Sequence, residues 1–248
     1  MTDRFMFLPR PSPRASFRLL CFPPAGYGAA IYRDLGRALP ERLEVCSVRL
    51  PGRENLRAEP LITDFSRLIE AAVSIVTPYL DRPFAIFGHS MGSWLAFEVG
   101  RRLRNAGRLP AHLFVSGRRA PQIAKTAAPI HDLPDNEFIA EIQRRYNGIP
   151  QTLLNEPELL HLTLPILRAD LAALESYQYS DDAALDCAIS CYAGRDDHEL
   201  KEDDLAAWRK QTSRNFKLIR FPGDHFYLTG AGAPGILADI ANTLTVSV

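Results

Sequence analysis

The segment Gly88-His89-Ser90-Met91-Gly92 sets a serine between two glycines, after the apolar run Phe84-Ala85-Ile86-Phe87 and before a helical pattern. G-x-S-x-G between a strand and a helix is the sequence form of a nucleophile elbow. A sharp turn there lifts the Ser90 hydroxyl clear of the backbone, and small flanking residues let strand and helix cross closely. The helix that follows aims free N–H groups and the positive end of its dipole at developing negative charge. The chemistry this suits is attack of an activated hydroxyl on a carbonyl carbon.

A serine hydroxyl needs a base, and the base needs an orienting acid, in the chain order serine, acid, histidine. Of six histidines, His225 in Phe221-Pro222-Gly223-Asp224-His225-Phe226 directly follows the last predicted strand, where a loop can bring imidazole to Ser90. The others fit less well. His89 lies inside the elbow with its side chain directed away from the serine's, and His112 opens a strand. His131 and His161 fall in a helical insertion, and His198 is too near the acid. The acid is expected at the end of the preceding strand, in Gly194-Arg195-Asp196-Asp197-His198-Glu199-Leu200. An acid three residues after the glycine with an aliphatic anchor beyond it selects Asp197 over Asp196. Two backbone N–H groups are needed for the oxyanion, one from Met91 and one from Ala25 in the loop after the first strand.

Around these residues, short β-branched or aromatic runs alternate with segments of helical period. Strands are predicted over 17–21, 45–50, 84–87, 112–116, 188–192 and 216–221, with amphipathic helices over 62–80 and 94–103. That alternation implies right-handed β-α-β units, hence an α/β fold with a mostly parallel, doubly wound sheet. One stretch departs from it. Residues 122–180 hold no convincing strand, only a helical pattern with Phe138, Ile139, Ile142 and Tyr146 after a cap at Asp132, then a leucine-rich one. Pro165 is expected to end or kink the second. A lid over the active edge is favoured over a plain pair of packing helices, because the insertion follows a strand whose C-terminal end faces the site. The chain is expected to be one domain, 1–248.

The composition excludes several classes. The 248 residues carry 29 basic and 29 acidic side chains, so no bulk field favours nucleic acid. No apolar run nears the roughly 18 residues of a membrane span, and the start resembles no secretory signal. Cys21, Cys46, Cys187 and Cys191 are few and scattered, read as reduced and buried in a cytoplasmic protein. Cys187 and Cys191 lack the second ligand pair of a zinc site, so no metal is expected. An acid-free stretch with Arg101, Arg102, Arg104, Arg108, Arg118 and Arg119 reads as a solvated face or a docking surface, the choice left open.

Five segments together resemble the type II, editing thioesterases of polyketide synthases and nonribosomal peptide synthetases, within the α/β-hydrolase superfamily. They are Leu20-Cys21-Phe22-Pro23-x-Ala25-Gly26, Arg49-Leu50-Pro51-Gly52-Arg53-Glu54, Phe87 to Gly92 with Leu95-Ala96-Phe97-Glu98, Val115-Ser116-Gly117-Arg118-Arg119-Ala120-Pro121, and Gly223-Asp224-His225-Phe226. The Leu-Pro-Gly-Arg-Glu segment separates the chain from generic lipases and esterases. Pro24 departs from the family's usual histidine, and Tyr27-Gly28 widens the small-residue loop. The resemblance implies release of aberrant or stalled acyl groups from the phosphopantetheine thiol of acyl or peptidyl carrier proteins through an acyl-serine. It implies no cofactor beyond the pantetheine arm on the substrate, and a monomer. An oxygen-ester or medium-chain fatty acyl hydrolase is the alternative.

Overall fold

A computed structural model describes residues 4–124 and 127–246 of the chain. Its strands are β1 (Met6–Phe7), β2 (Phe17–Phe22), β3 (Leu43–Val48), β4 (Phe84–His89), β5 (His112–Ser116), β6 (Ala188–Gly194) and β7 (Phe216–Phe221). Its α-helices are α1 (Arg33–Ala38), α2 (Phe65–Val76), α3 (Met91–Asn105), α4 (Asp135–Tyr146), α5 (Gln151–Leu154), α6 (Pro157–Ser176), α7 (Glu202–Ala206) and α8 (Ala233–Val246).

The strands form one sheet in the order β1-β3-β2-β4-β5-β6-β7, with β1 antiparallel to β3 and the rest parallel. Successive side chains of a strand leave on opposite faces, so each strand feeds two cores. Leu20 and Phe22 of β2 join Ile86 beneath α2 and α3, while Phe17, Leu19 and Cys21 join Ala85 and Phe87 beneath α8. Both faces are covered, which is why these strands read as continuous apolar runs. Asp64 caps α2 by accepting the Arg67 N–H at 2.9 Å.

All six predicted strands are present, with β3 running two residues earlier than expected because Leu43 pairs with Phe17. β1 is an addition, too short to show a period. Among the described residues, the 122–180 stretch holds three helices rather than two. Asp132 caps none of them: α4 opens at Asp135 with Pro134 before it, and Asp132 pairs with His131. Nor does Pro165 end its helix, since α6 runs through it. The ring is exposed, and the inward face beside it, Leu164, Leu167 and Leu171, is buried; that burial holds the helix together across the lost N–H.

Candidate active site

The C-terminal ends of β4, β5 and β6 converge on Ser90. The serine has φ 53° and ψ −117°, a left-handed strain that the turn imposes on a non-glycine residue. Its flanking glycines are sterically required. A Cβ at Gly88 lies 2.0 Å from the Gly92 carbonyl oxygen, and one at Gly92 lies 2.1 Å from that of Phe22. The Ser90 N–H bonds the Ser116 carbonyl at 2.7 Å, and Ser93 Oγ donates to Gly88 and accepts the Ser116 N–H. The elbow is thereby tied to β5.

His225 Nε2 stands 3.0 Å from Ser90 Oγ, and His225 Nδ1 stands 2.7 Å from Asp197 Oδ2. All three side chains are buried. The second Asp197 oxygen accepts the Glu199 N–H at 3.3 Å, which fixes the carboxylate's plane. Asp196 is exposed and uses its N–H on the Gly223 carbonyl, so of the two aspartates it is Asp197 that meets the imidazole. β6 passes so close to the histidine loop that a Cβ at Gly194 sits 2.3 Å from the Asp224 carbonyl oxygen.

His89 lies behind this array. Its Nδ1 is 2.8 Å from Ser116 Oγ, its ring centre is 5.2 Å from that of His225, and burial, then the neighbouring His225, hold it far below the usual histidine pKa. A neutral wall thus backs His225. His112, at the far end of β5, bonds Ser190 Oγ at 2.7 Å, while His131 bonds Glu175 and His161 is exposed on α6. His198 faces a cavity beside the site.

The loop after β2 supplies the other half. Pro24 has no N–H, Gly26 donates to Asp170 Oδ2 at 2.8 Å, and Tyr27 donates to the Pro24 carbonyl. Among the described residues this leaves the Ala25 N–H uncommitted, next to Ser90. Opposite it, Met91 opens α3, and the first N–H groups of a helix have no partner within it. Ala25 and Met91 thus both lie beside Ser90, each with an N–H that no backbone carbonyl among the described residues accepts.

What that reading missed is the brace on this loop. Arg53 grips Asp170 with two nitrogens, at 2.6 and 2.7 Å, and reaches the Tyr27 carbonyl at 3.3 Å. Glu54 accepts the Ala30 N–H at 3.1 Å and pairs with Arg49 at 3.3 Å. The Arg49-to-Glu54 segment carries part of the family resemblance, but Asp170 sits more than 100 residues away on α6 with nothing local to single it out. Its only sequence signal is a charge inside the leucine-rich helix, on the same face as Leu167, Leu171 and Leu174.

α4 and α6 roof the site. Ile142, Tyr146, Leu167, Leu171 and Leu174 line a pocket of about 30 Å³ shared with Ala25, Ser90 and His225, and the Tyr146 ring lies 5.3 Å from that of His225. The arrangement suits covalent acyl transfer: a nucleophile lining a pocket, a base within reach, an oriented acid and an apolar wall.

The thioesterase domain model matches residues 17–244. The chain belongs to the thioesterase family. This thioesterase is 42% identical over 215 residues to the gramicidin S biosynthesis protein GrsT of Aneurinibacillus migulanus, covering 86% of the chain and 84% of the relative. It is 36% identical over 231 residues to the human medium-chain S-acyl fatty acid synthase thioesterase, covering 88% and 83%. In structure it is similar to the type II thioesterase BorB from the borrelidin biosynthetic cluster, with TM-score 0.89, 35% identity and 98% of both chains covered. The fold is that of the α/β hydrolases, and the enzyme is a type II thioesterase, a hydrolase of thioester bonds. No helix among the described residues is long and apolar enough to cross a membrane, and none of their His, Cys, Asp and Glu groups is clustered to hold a metal. The four cysteines are buried and free.

Proposed function

We propose that the thioesterase removes acyl groups from the phosphopantetheine thiol of carrier proteins, with Ser90, His225 and Asp197 as its catalytic residues. The observation that carries this is the unbroken buried chain from Asp197 through His225 to Ser90, at 2.7 and 3.0 Å. His225 takes the Ser90 proton as Oγ attacks the thioester carbonyl. The resulting oxyanion is held by the Ala25 and Met91 N–H groups. The tetrahedral intermediate expels the pantetheine thiolate, which leaves with the proton from His225. Water then gives a proton to His225 and attacks acyl-Ser90, and Ser90 recovers its proton as the acid departs. Asp197 fixes the imidazole tautomer and stabilises its cation. The group removed and the arm that bears it both belong to the substrate, so the cycle uses no further cofactor.

The likeness to GrsT, a gramicidin S biosynthesis protein, and to BorB, a type II thioesterase of a biosynthetic cluster, supports carrier-bound substrates. The 122–180 insertion acts as the lid of a single domain, roofing the acyl slot with Leu167, Leu171 and Leu174. A second reading, cleavage of medium-chain fatty acyl groups, is favoured by the human relative. An acyl-loaded carrier protein, followed by mass spectrometry, tests the proposal. Wild type is expected to strip the carrier, and Ser90→Ala to do so at least about 10⁴-fold more slowly. Equal rates refute the assignment of Ser90; cleavage of fatty acyl thioesters with the carrier left loaded supports the second reading.

A further inference from the structure

The acid-free arginine stretch is not one surface. Arg101 pairs with Glu98 and Asp182, and Arg104 with Asp182, along α3. Arg102 and Arg108 line a shallow depression with Val73 and Pro78 at the far end of that helix. Arg118 and Arg119 part from them altogether. They follow β5 and Gly117, whose own Cβ position lies 3.4 Å from the His225 ring.

Their backbone is fixed from both sides. Trp208 Nε1 donates to the Arg118 carbonyl and Trp94 Nε1 to the Arg119 carbonyl, each at 2.9 Å. The Arg118 guanidinium lies 4.1 Å above the Trp94 ring. Both side chains line a cavity of about 420 Å³ that reaches His225 and shares Tyr146, Leu171 and Leu174 with the Ser90 pocket. That volume is in the range of small-molecule sites.

No carboxylate among the described residues lies within ion-pair distance of either arginine. Neither guanidinium makes a hydrogen bond or ion pair among the described residues, and each Nε is buried without a partner. The carboxylates in the cavity wall do not fill the gap. Glu175 accepts the Ile130 N–H at 2.8 Å and bonds His131; Glu199 lies 3.9 Å from Arg144; Asp204 bonds neither arginine. Arg145, on the same wall, is already held by Glu141 at 2.8 Å. Burial, then the charge of Arg118, pulls the Arg119 pKa down, against the opposing influence of Asp204, Tyr146 and Glu199. Half-buried guanidinium groups left so are costly, and a phosphate or carboxylate, taken by two parallel N–H donors, is the group that relieves them.

We propose that Arg118 and Arg119 bind an anionic group carried by the thioester substrate, a phosphate or a carboxylate. The inference rests on the thioesterase reading of the adjoining Ser90 site. The anion has two sources: the phosphate of the phosphopantetheine arm, or a carboxylate at the end of the acyl group. In either case it anchors the substrate at one end of the cavity while the thioester carbonyl reaches Ser90.

The test compares kcat/KM for S-acyl pantetheine, S-acyl 4′-phosphopantetheine, and S-acyl pantetheine whose acyl chain ends in a carboxylate. Wild type, Arg119→Gln and Arg118→Gln are used, with melting curves to establish that each folds; Arg119→Gln decides alone if loss of the Trp94 stack unfolds the other. Wild type is expected to favour one anionic substrate over the neutral one by about tenfold or more, as charge-assisted hydrogen bonds warrant. In Arg119→Gln that ratio collapses toward one. Preference for the phosphorylated arm names the phosphate; preference for the carboxylated chain names the carboxylate. Equal rates on all three substrates in wild type, or a ratio unchanged in Arg119→Gln, overturn the proposal. Hydrolysis of the neutral substrate reports separately on the thioesterase reading. If no thioester is cleaved, that reading fails, and calorimetric titration with 4′-phosphopantetheine and with succinate decides the arginine pair: heat lost in Arg119→Gln supports it, and no heat in wild type overturns it.

Discussion

The elbow and the helical insertion are built on opposite terms. Along β4, Ser90 and the first eleven residues of α3 every residue is buried, and Gly88 and Gly92 tolerate no added atom. α4, by contrast, buries only Phe138 and Ile142, α5 buries nothing, and α6 leaves Leu159 and Leu162 more than half exposed. A close-packed frame holds reacting groups to the fractions of an ångström that catalysis needs. A segment with few buried apolar contacts is free to open and re-form at lower cost. On the proposed function, the chemistry belongs to the frame and the choice of acyl group to the roof.

One residue breaks this division. Asp170, on the insertion, is 1% exposed and binds both Arg53 and the Gly26 N–H of the oxyanion loop. Asp170→Ala leaves the Arg53 charge buried and unpaired, so a loss of about 3–5 kcal/mol is expected in chemical denaturation. Because the Ala25 amide shifts with Gly26, kcat is expected to fall by up to about 10²-fold. Replacing both partners, Arg53→Met with Asp170→Leu, is expected to restore much of the stability but not kcat. Recovery of both would reduce the pair to packing.

The frame also carries a pH liability. His112 is held down to about 4, by burial first and then by Lys217, and His89 is held down in the same direction. Unfolded histidines take up protons near pH 6.5, the native ones only far lower. The unfolded state thus binds more protons in that window, and stability falls as pH drops from 6.5 toward about 4. His112→Gln is expected to flatten this part of the curve of melting temperature against pH.

The smallest effect belongs to the roof's outer face. Leu162→Glu, at a position 61% exposed, is expected to change stability by less than about 0.5 kcal/mol in the same denaturation assay. A large loss there would mean that the outer face of α6 is covered in solution.

The same contrast decides what the sequence disclosed. Ser90, Met91, His225 and Asp197 were legible because strand, glycine and turn signals are local and the chain order of the three groups is constrained. The position of the loop after β2 is legible for a similar reason, as the end of an apolar strand. Asp170 was not, since its partners lie on β-loops far away in the chain. The arginine stretch was misleading because neighbours in sequence part company where α3 ends and β5 begins. Local propensity alone expects a cap at Asp132 and a break at Pro165; α4 opens later, at Asp135, and the packing of Leu164, Leu167 and Leu171 carries α6 through Pro165.

The central claim is that acyl groups pass through Ser90 under the control of His225. Its most direct test is to mix the enzyme rapidly with an acyl thioester, quench in acid, and map the acyl mass by peptide sequencing. The account predicts a transient adduct on Ser90 that persists longer when His225→Gln slows deacylation and is absent in Ser90→Ala. Full turnover without an adduct on Ser90, or with one on another residue, would contradict it.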